Sequence, residues 1–151
     1  MDIYIFVGLP KSGKTNLIKE IQKYSSNVKH INYKTVVGVN ATIKYNKTLE
    51  KLAQEIDNLS PVIMFESPFS QLKVFRQKIF KLVEDAKRLY PNENIQIYAV
   101  NMLIPYQECL YRVQNDLGVN GSTIEEFNWW ADNIDFATYE EGFDYIINIE
   151  P

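Results

Sequence analysis

The sequence predicts an α/β domain in three layers, with about five parallel strands in one sheet and helices on both faces. Strand-like runs and runs of helical period alternate along the chain in the order βαβαβαβαβ. The connections between successive strands are long enough to hold crossover helices, which parallel pairing requires. Val62-Ile63-Met64-Phe65 is apolar without interruption, the pattern of a strand covered on both sides.

Each element has a local reason. Asp2 to Val7 is a β-rich run ending at Gly8, and Leu17, Ile18, Ile21 and Tyr24 then recur at helical spacing. Val28 to Tyr33 reads as the second strand and Thr35 to Tyr45 as irregular. Leu49, Leu52, Ala53, Ile56 and Leu59 form the stripe of a helix that Ser60-Pro61 stops. After the third strand, Leu72, Phe75, Ile79, Leu82, Val83, Ala86 and Leu89 mark a helix ended by Pro91-Asn92. Ile95 to Ile104 is the fourth strand. Tyr106, Cys109, Leu110, Val113 and Leu117 line a helix for which Gly118 is a stop, and Asn120-Gly121 turns the chain. Ser122-Thr123-Ile124-Glu125 has capping-box spacing ahead of Ile124, Phe127, Ala131 and Ile134, and Tyr145 to Ile149 closes as the fifth strand.

At 151 residues, with a 46% hydrophobic share, the chain can bury a core unaided and is not a disordered one. Its longest apolar run, Ile3 to Val7, is far too short to cross a membrane. One Cys, Cys109, and one His, His30, exclude an internal disulfide framework and a Cys/His zinc site. Residues 1–30 lack the apolar core of a signal peptide, so a cytoplasmic protein is expected. No linker, repeat or low-complexity tract divides residues 1–151, which read as one domain. The net charge of -3 hides a gradient. Residues 1–51 carry nine Lys against three acids, residues 52–112 balance, and residues 113–151 carry nine acids and no Lys or Arg. The basic part could meet phosphates and the acidic part a protein partner; solvated faces of opposite sign are the plainer alternative.

Gly8-Leu9-Pro10-Lys11-Ser12-Gly13-Lys14-Thr15 is a full Gly-x-x-x-x-Gly-Lys-Ser/Thr string between the first strand and the first helix. Its glycines let successive N–H groups turn inward around a phosphate, and the helix N-terminus adds a favourable dipole. Lys14 then reaches the outer phosphates and Thr15 can ligate Mg²⁺. A nucleoside triphosphate, ATP, is the implied ligand. Lys11 could face phosphate or solvent, and solvent is favoured. Glu66, directly after the third strand, would emerge at the same sheet edge and hold the magnesium through water. The plainer role for Glu66 is to end a buried strand.

With Phe65-Glu66-Ser67, the run Ile104-Pro105-Tyr106-Gln107-Glu108-Cys109-Leu110-Tyr111-Arg112, and Tyr139-Glu140-Glu141-Gly142-Phe143-Asp144 before the last strand, the chain resembles a family. It is similar over most of its length to the small P-loop kinases of the phage polynucleotide kinase type and the related nucleoside and nucleotide kinases. The resemblance implies a P-loop NTPase sandwich in which Lys14, Glu66 and Arg112 are catalytic. Arg112 would bridge the donor phosphates and the transferring group. Its plainer role is an ion pair with Glu108, one helical turn earlier. The other arginines, Arg76 and Arg88, fall at spacing that suggests a solvated outer face.

Two departures from that family pattern stand out. The acid that usually follows the second strand, as base for the acceptor hydroxyl, is missing: no Asp or Glu lies between Glu20 and Glu50, and Asn32-Tyr33-Lys34-Thr35 occupies its place. Asp116 stands where a second lid arginine is expected. His30, inside the second strand, reads as a satisfied or outward-facing side chain rather than a substitute base. Trp129-Trp130 reads as one core and one surface ring, with a platform for a base as the alternative. The expected activity is transfer of the ATP γ-phosphate to a hydroxyl of a nucleoside, a nucleotide or a 5′-hydroxyl nucleic acid. The alternative is an ATP-binding or slowly hydrolysing module that acts through a partner. High Asn, Ile, Lys and Tyr usage suits an AT-rich genome such as that of a phage or a low-GC bacterium.

Overall fold

A computed structural model describes residues 1–116 and 123–151. Strands β1 (Asp2–Gly8), β2 (Val28–Asn32), β3 (Val62–Glu66), β4 (Gln96–Met102) and β5 (Tyr145–Ile149) form one sheet in the order β2-β3-β1-β4-β5. Every pairing is parallel. The helices are α1 (Lys14–Tyr24), α2 (Ala41–Asp57), α3 (Lys73–Leu89), α4 (Tyr106–Asn115) and α5 (Ile124–Asn133). This is the expected α/β P-loop NTPase architecture. No helix among the described residues is long and apolar enough to cross a membrane.

Side-chain alternation along the strands gives the sheet two apolar faces. Ile3, Ile5 and Val7 of β1, Ile63 and Phe65 of β3 and Ile97 and Ala99 of β4 pack against Leu49, Leu52 and Ile56 of α2 and Ile79 and Val83 of α3. The opposite face presents Phe6, Val28, Met64, Val100 and Met102 to Ile18 of α1. Farther along that face Tyr4, Tyr98 and Tyr145 stack across three strands at centroid distances of 4.4 and 5.0 Å. Leu9, Cys109, Val113 and Phe127 make a separate core where α4 and α5 meet the turn after β1.

Several boundaries differ from the sequence reading. Helix α2 begins at Ala41 instead of after Tyr45, because the Asn40 side chain accepts the Ile43 N–H at 2.9 Å and caps it. Tyr45 is then buried, and its hydroxyl donates to the Phe75 carbonyl. Leu59 lies beyond the end of α2 with a left-handed φ of 56°, half exposed, so it is not part of the stripe. Tyr24 and Leu89 end their helices pointing outward, Tyr33 belongs to a turn, and Leu72 and Ile134 flank α3 and α5 from outside. The cap of α5 is Thr123, whose hydroxyl accepts the Glu126 N–H at 3.1 Å, one residue later than the Ser122 box. Leu117, Gly118, Asn120-Gly121 and Ser122 lie outside the described residues.

The largest correction concerns Arg76. Instead of facing solvent it is 1% exposed, with both ends of its guanidinium fork on the Glu141 carboxylate at 2.8 Å. Its third nitrogen donates to the carbonyls of Ser70 (2.7 Å) and Asp135 (2.8 Å). A helical period that places Arg76 near Ile79 and Val83 could not distinguish a solvated cation from one with a carboxylate waiting in the last quarter of the chain. The Glu-Gly-Phe-Asp segment is thereby structural: Glu141 holds Arg76, Phe143 is buried, and Asp144 accepts the Ile97 N–H at 2.8 Å.

Removing one partner of such a buried pair strands the other charge. Arg76→Ala should lower unfolding free energy by about 3–5 kcal/mol, whereas Arg76→Met combined with Glu141→Leu should recover most of it. Urea unfolding of the three proteins measures both.

Candidate functional site

The carboxyl ends of β1 and β3 diverge after Ile5 and Phe65, opening the crevice at which the strand order reverses. Gly8 lies on its rim. A Cβ there would stand 2.6 Å from Ser12 Oγ and 2.7 Å from Met102 Cβ, so only glycine lets the loop close. The Gly8 N–H, which no longer has β3 beside it, donates to Gln71 Oε1 at 2.7 Å. Gln71 is in the short turn Pro68–Gln71 that follows β3, and its own carbonyl accepts the Asp135 N–H. The loop continues through Lys11 (φ 66°) to Gly13 (φ 98°), which opens α1 without a side-chain cap.

Lys14 folds back over this loop. Its amine donates to the carbonyls of Gly8 (2.7 Å) and Leu9 (2.9 Å) and approaches Ser12 Oγ at 3.5 Å. Burial draws the amine down to about 8, against the attraction of Glu66, and the like charge of Lys34 adds to the fall. Thr15, next on α1, donates from Oγ1 to Glu66 Oε1 at 2.6 Å. Glu66 ends β3, is buried, and has its other oxygen 2.7 Å from His30 Nε2. Burial pushes the Glu66 carboxyl up, but hydrogen bonds from His30 and Thr15 and the Lys14 charge outweigh it and hold the group below its ordinary value. It is ionised at neutral pH.

Arg112 reaches the same loop from α4. One nitrogen donates to the Lys11 carbonyl at 2.8 Å, while another pairs with Glu108. The plainer role foreseen for Arg112, the ion pair with Glu108, is present, and the guanidinium also reaches the loop at the Lys11 carbonyl. Lys11 does not extend into solvent as favoured. Its amine meets Asp116 at 2.6 Å, so the aspartate in place of a lid arginine neutralises a loop cation.

Beyond β2, Asn32 accepts the Lys34 N–H and the Thr35 hydroxyl donates to the Asn32 carbonyl. Tyr33 packs edge-on against Phe69, with the Lys44 amine 4.3 Å above its ring. Ser67, the hydroxyl beside Glu66, caps the following turn by accepting the Phe69 N–H. Trp129 is half exposed and Trp130 packs on the α4–α5 core at right angles to it, matching one surface and one core ring. His30 is the site residue that the sequence reading set aside. Its signal was parity: His30 is registered with Met64 and Asn32 with Glu66, so His30 and Glu66 share a face as diagonal neighbours.

Chemically, the crevice offers the uncapped start of α1, a half-buried amine, an arginine, and a hydroxyl–carboxylate pair suited to a hard divalent cation. Among the described residues no group of three or more His, Cys, Asp or Glu side chains could hold a metal unaided. A cation at Thr15 and Glu66 would complete its shell with ligand oxygens and water.

No protein-family model matches the chain, and no characterised protein matches it in sequence. Solved structures do match in fold. Kti12 of Chaetomium thermophilum, in complex with ADP-AlF3, superposes with a TM-score of 0.73 at 12% identity over 97% of this chain and 88% of its own. A fungal RNA kinase gives 0.68 at 18% identity over 99% of this chain. This chain spans only 38% of that kinase's length. The APS kinase CysC of Mycobacterium tuberculosis, with AMPPNP and APS, gives 0.61 at 15% identity over 99% and 89%. The fold is that of the P-loop kinases.

The crowding at Gly8 has a direct consequence. Gly8→Ala should cost about 1–3 kcal/mol of stability, the usual penalty of forcing a methyl group into a packed site. Denaturant unfolding of the variant beside the parent protein measures it.

Proposed function

We propose that the chain binds ATP with Mg²⁺ and transfers the γ-phosphate to a hydroxyl of a nucleoside, a nucleotide or a polynucleotide 5′ end. The observation that carries this reading is the 2.6 Å contact between Thr15 and ionised Glu66 at the start of α1, beside the Lys14 amine. The loop of residues 8–15 would hold the phosphates of ATP, with the backbone N–H groups that open α1 as donors. Lys14 would exchange its loop carbonyls for the β- and γ-phosphate oxygens, and Arg112, already at the Lys11 carbonyl, would neutralise charge on the transferring group. Thr15 and, through water, Glu66 would hold the magnesium. When bound, that ion offsets charge on the β- and γ-oxygens.

In the transfer, the bond from the γ-phosphorus to the β–γ bridging oxygen breaks, and ADP keeps the electron pair. A bond forms from the acceptor oxygen to phosphorus, and the hydroxyl proton passes to Glu66. Phosphoryl transfer depends mainly on positioning and electrostatics, so the missing acid after β2 does not prohibit it. One observation favours the second reading, a nucleotide-binding or slowly hydrolysing module that acts through a partner: Asp116 spends its charge on Lys11. The exposed acids of residues 113–151, Glu125, Glu126, Asp132 and Glu140 among them, would then form the docking surface.

A screen of labelled ATP against nucleosides, nucleotides and 5′-hydroxyl oligonucleotides tests the reading. Lys14→Ala should weaken ATP binding at least about tenfold by calorimetry, since a charge-assisted phosphate contact contributes about 1.5–3 kcal/mol. Unchanged affinity would mean that the loop does not cradle phosphate.

For the acceptor, Lys34, Lys44 and Lys47 make no ion pair among the described residues and would form a basic rim beyond β2, while Lys29, also without an ion pair there, lies near the start of that strand. Lys34→Gln with Lys44→Gln should raise the KM for an oligonucleotide several-fold more than that for ATP, and oligonucleotide binding should fall steeply with salt. Indifference to salt would leave a small-molecule acceptor.

A further inference from the structure

His30 is the one histidine of the chain, and both it and its partner are withdrawn from solvent, with side chains 12% and 7% exposed. Glu66 is held at both oxygens: Oε1 takes the Thr15 hydroxyl at 2.6 Å and Oε2 faces His30 Nε2 at 2.7 Å. Two anchors on opposite oxygens fix the plane of a carboxylate, which a single anchor leaves free to turn. The Lys14 amine exerts an attraction on Glu66, yet the two form no ion pair. The amine stays on Gly8 and Leu9, and the carboxylate stays on Thr15 and His30.

We infer that His30 is a positioning residue: from inside β2 it fixes the Glu66 carboxylate so that Oε1 faces Thr15, and thereby sets the Mg²⁺ dependence of nucleotide binding. This rests on the nucleotide reading above. The Nε2–H donates to the carboxylate in the neutral tautomer as well as in the imidazolium, so the role does not require a charge on the ring. Partners of this kind, one step removed from a cation, commonly change its affinity ten- to a hundred-fold, roughly, when removed. They do so without touching the ion, by letting its ligands drift.

The readout is the ratio of ATP dissociation constants without and with Mg²⁺, measured by calorimetry on the full chain. His30→Ala should reduce the ratio about tenfold, toward that of Glu66→Gln. His30→Gln, whose amide N–H can occupy the place of Nε2, should keep most of it. His30→Asn, whose amide stops short of that place, should behave like His30→Ala and serves if the alanine variant does not fold, as judged by circular dichroism. A merely structural role would lower the melting temperature of all three variants and leave the ratio intact. That result, or a glutamine variant as impaired as the alanine one, would overturn the inference while leaving ATP binding in place. A parent protein that binds no ATP would remove the nucleotide reading and the inference with it.

Discussion

The buried fork between Arg76 and Glu141 holds the other parts of the molecule in register. A guanidinium taken out of water must be met by a carboxylate and by carbonyls, or the fold cannot keep it. Here the partners come from three places: Glu141 from the turn before β5, Asp135 from the stretch after α5, and Ser70 from the turn after β3. That last turn also contains Gln71, which accepts the Gly8 N–H. Asp135 closes the circuit by donating its N–H to the Gln71 carbonyl and accepting that of Lys73 at the head of α3. The first glycine of the loop after β1 is thus braced, through Gln71, by the Arg76–Glu141 ion pair.

Within the crevice, economy of charge governs the arrangement. Lys11, Lys14 and Arg112 gather at one sheet edge where Glu66 is the buried acid, and each is restrained by a neutral or oppositely charged group. Lys14 rests on carbonyls, Arg112 on a carbonyl and Glu108, and Lys11 on Asp116. Uncompensated cations this close would repel one another. The loop keeps its shape because its positive groups are engaged by dipoles and acids that a more strongly anionic ligand can outcompete.

The sequence was legible where a local pattern has one structural solution. The apolar β3 run, the glycine-rich string after β1 and the period of α3 each led to the observed element, and Glu66 to the observed edge. It was less legible where one side chain sets a boundary: Asn40 starts α2 earlier than its apolar stripe does, and Thr123 takes the cap assigned to Ser122. Illegible in the linear pattern were the partnerships between distant residues. Arg76 with Glu141, Lys11 with Asp116, and His30 with Glu66 are separated by tens of residues, and a buried charged or polar group looks like a surface one until its partner is placed. The parity of β2 against β3 contained the last of these, but only once the register was known.

Helix α4 holds the loop at a single residue by two different handles, the carbonyl of Lys11 through Arg112 and its amine through Asp116. Glu108 and Arg112 on α4 and Asp116 at its C-cap recur at one-turn spacing, so the helix and its end present all three along one side. Linkage then applies in both directions. Any anion that draws Lys11 or Arg112 to itself must loosen the attachment of α4, and anything that displaces α4 must change the anion affinity of the loop by the same factor. The helix and the loop form one thermodynamic unit, in which a contact made on the far side of α4 is felt, as free energy, at the glycine-rich loop.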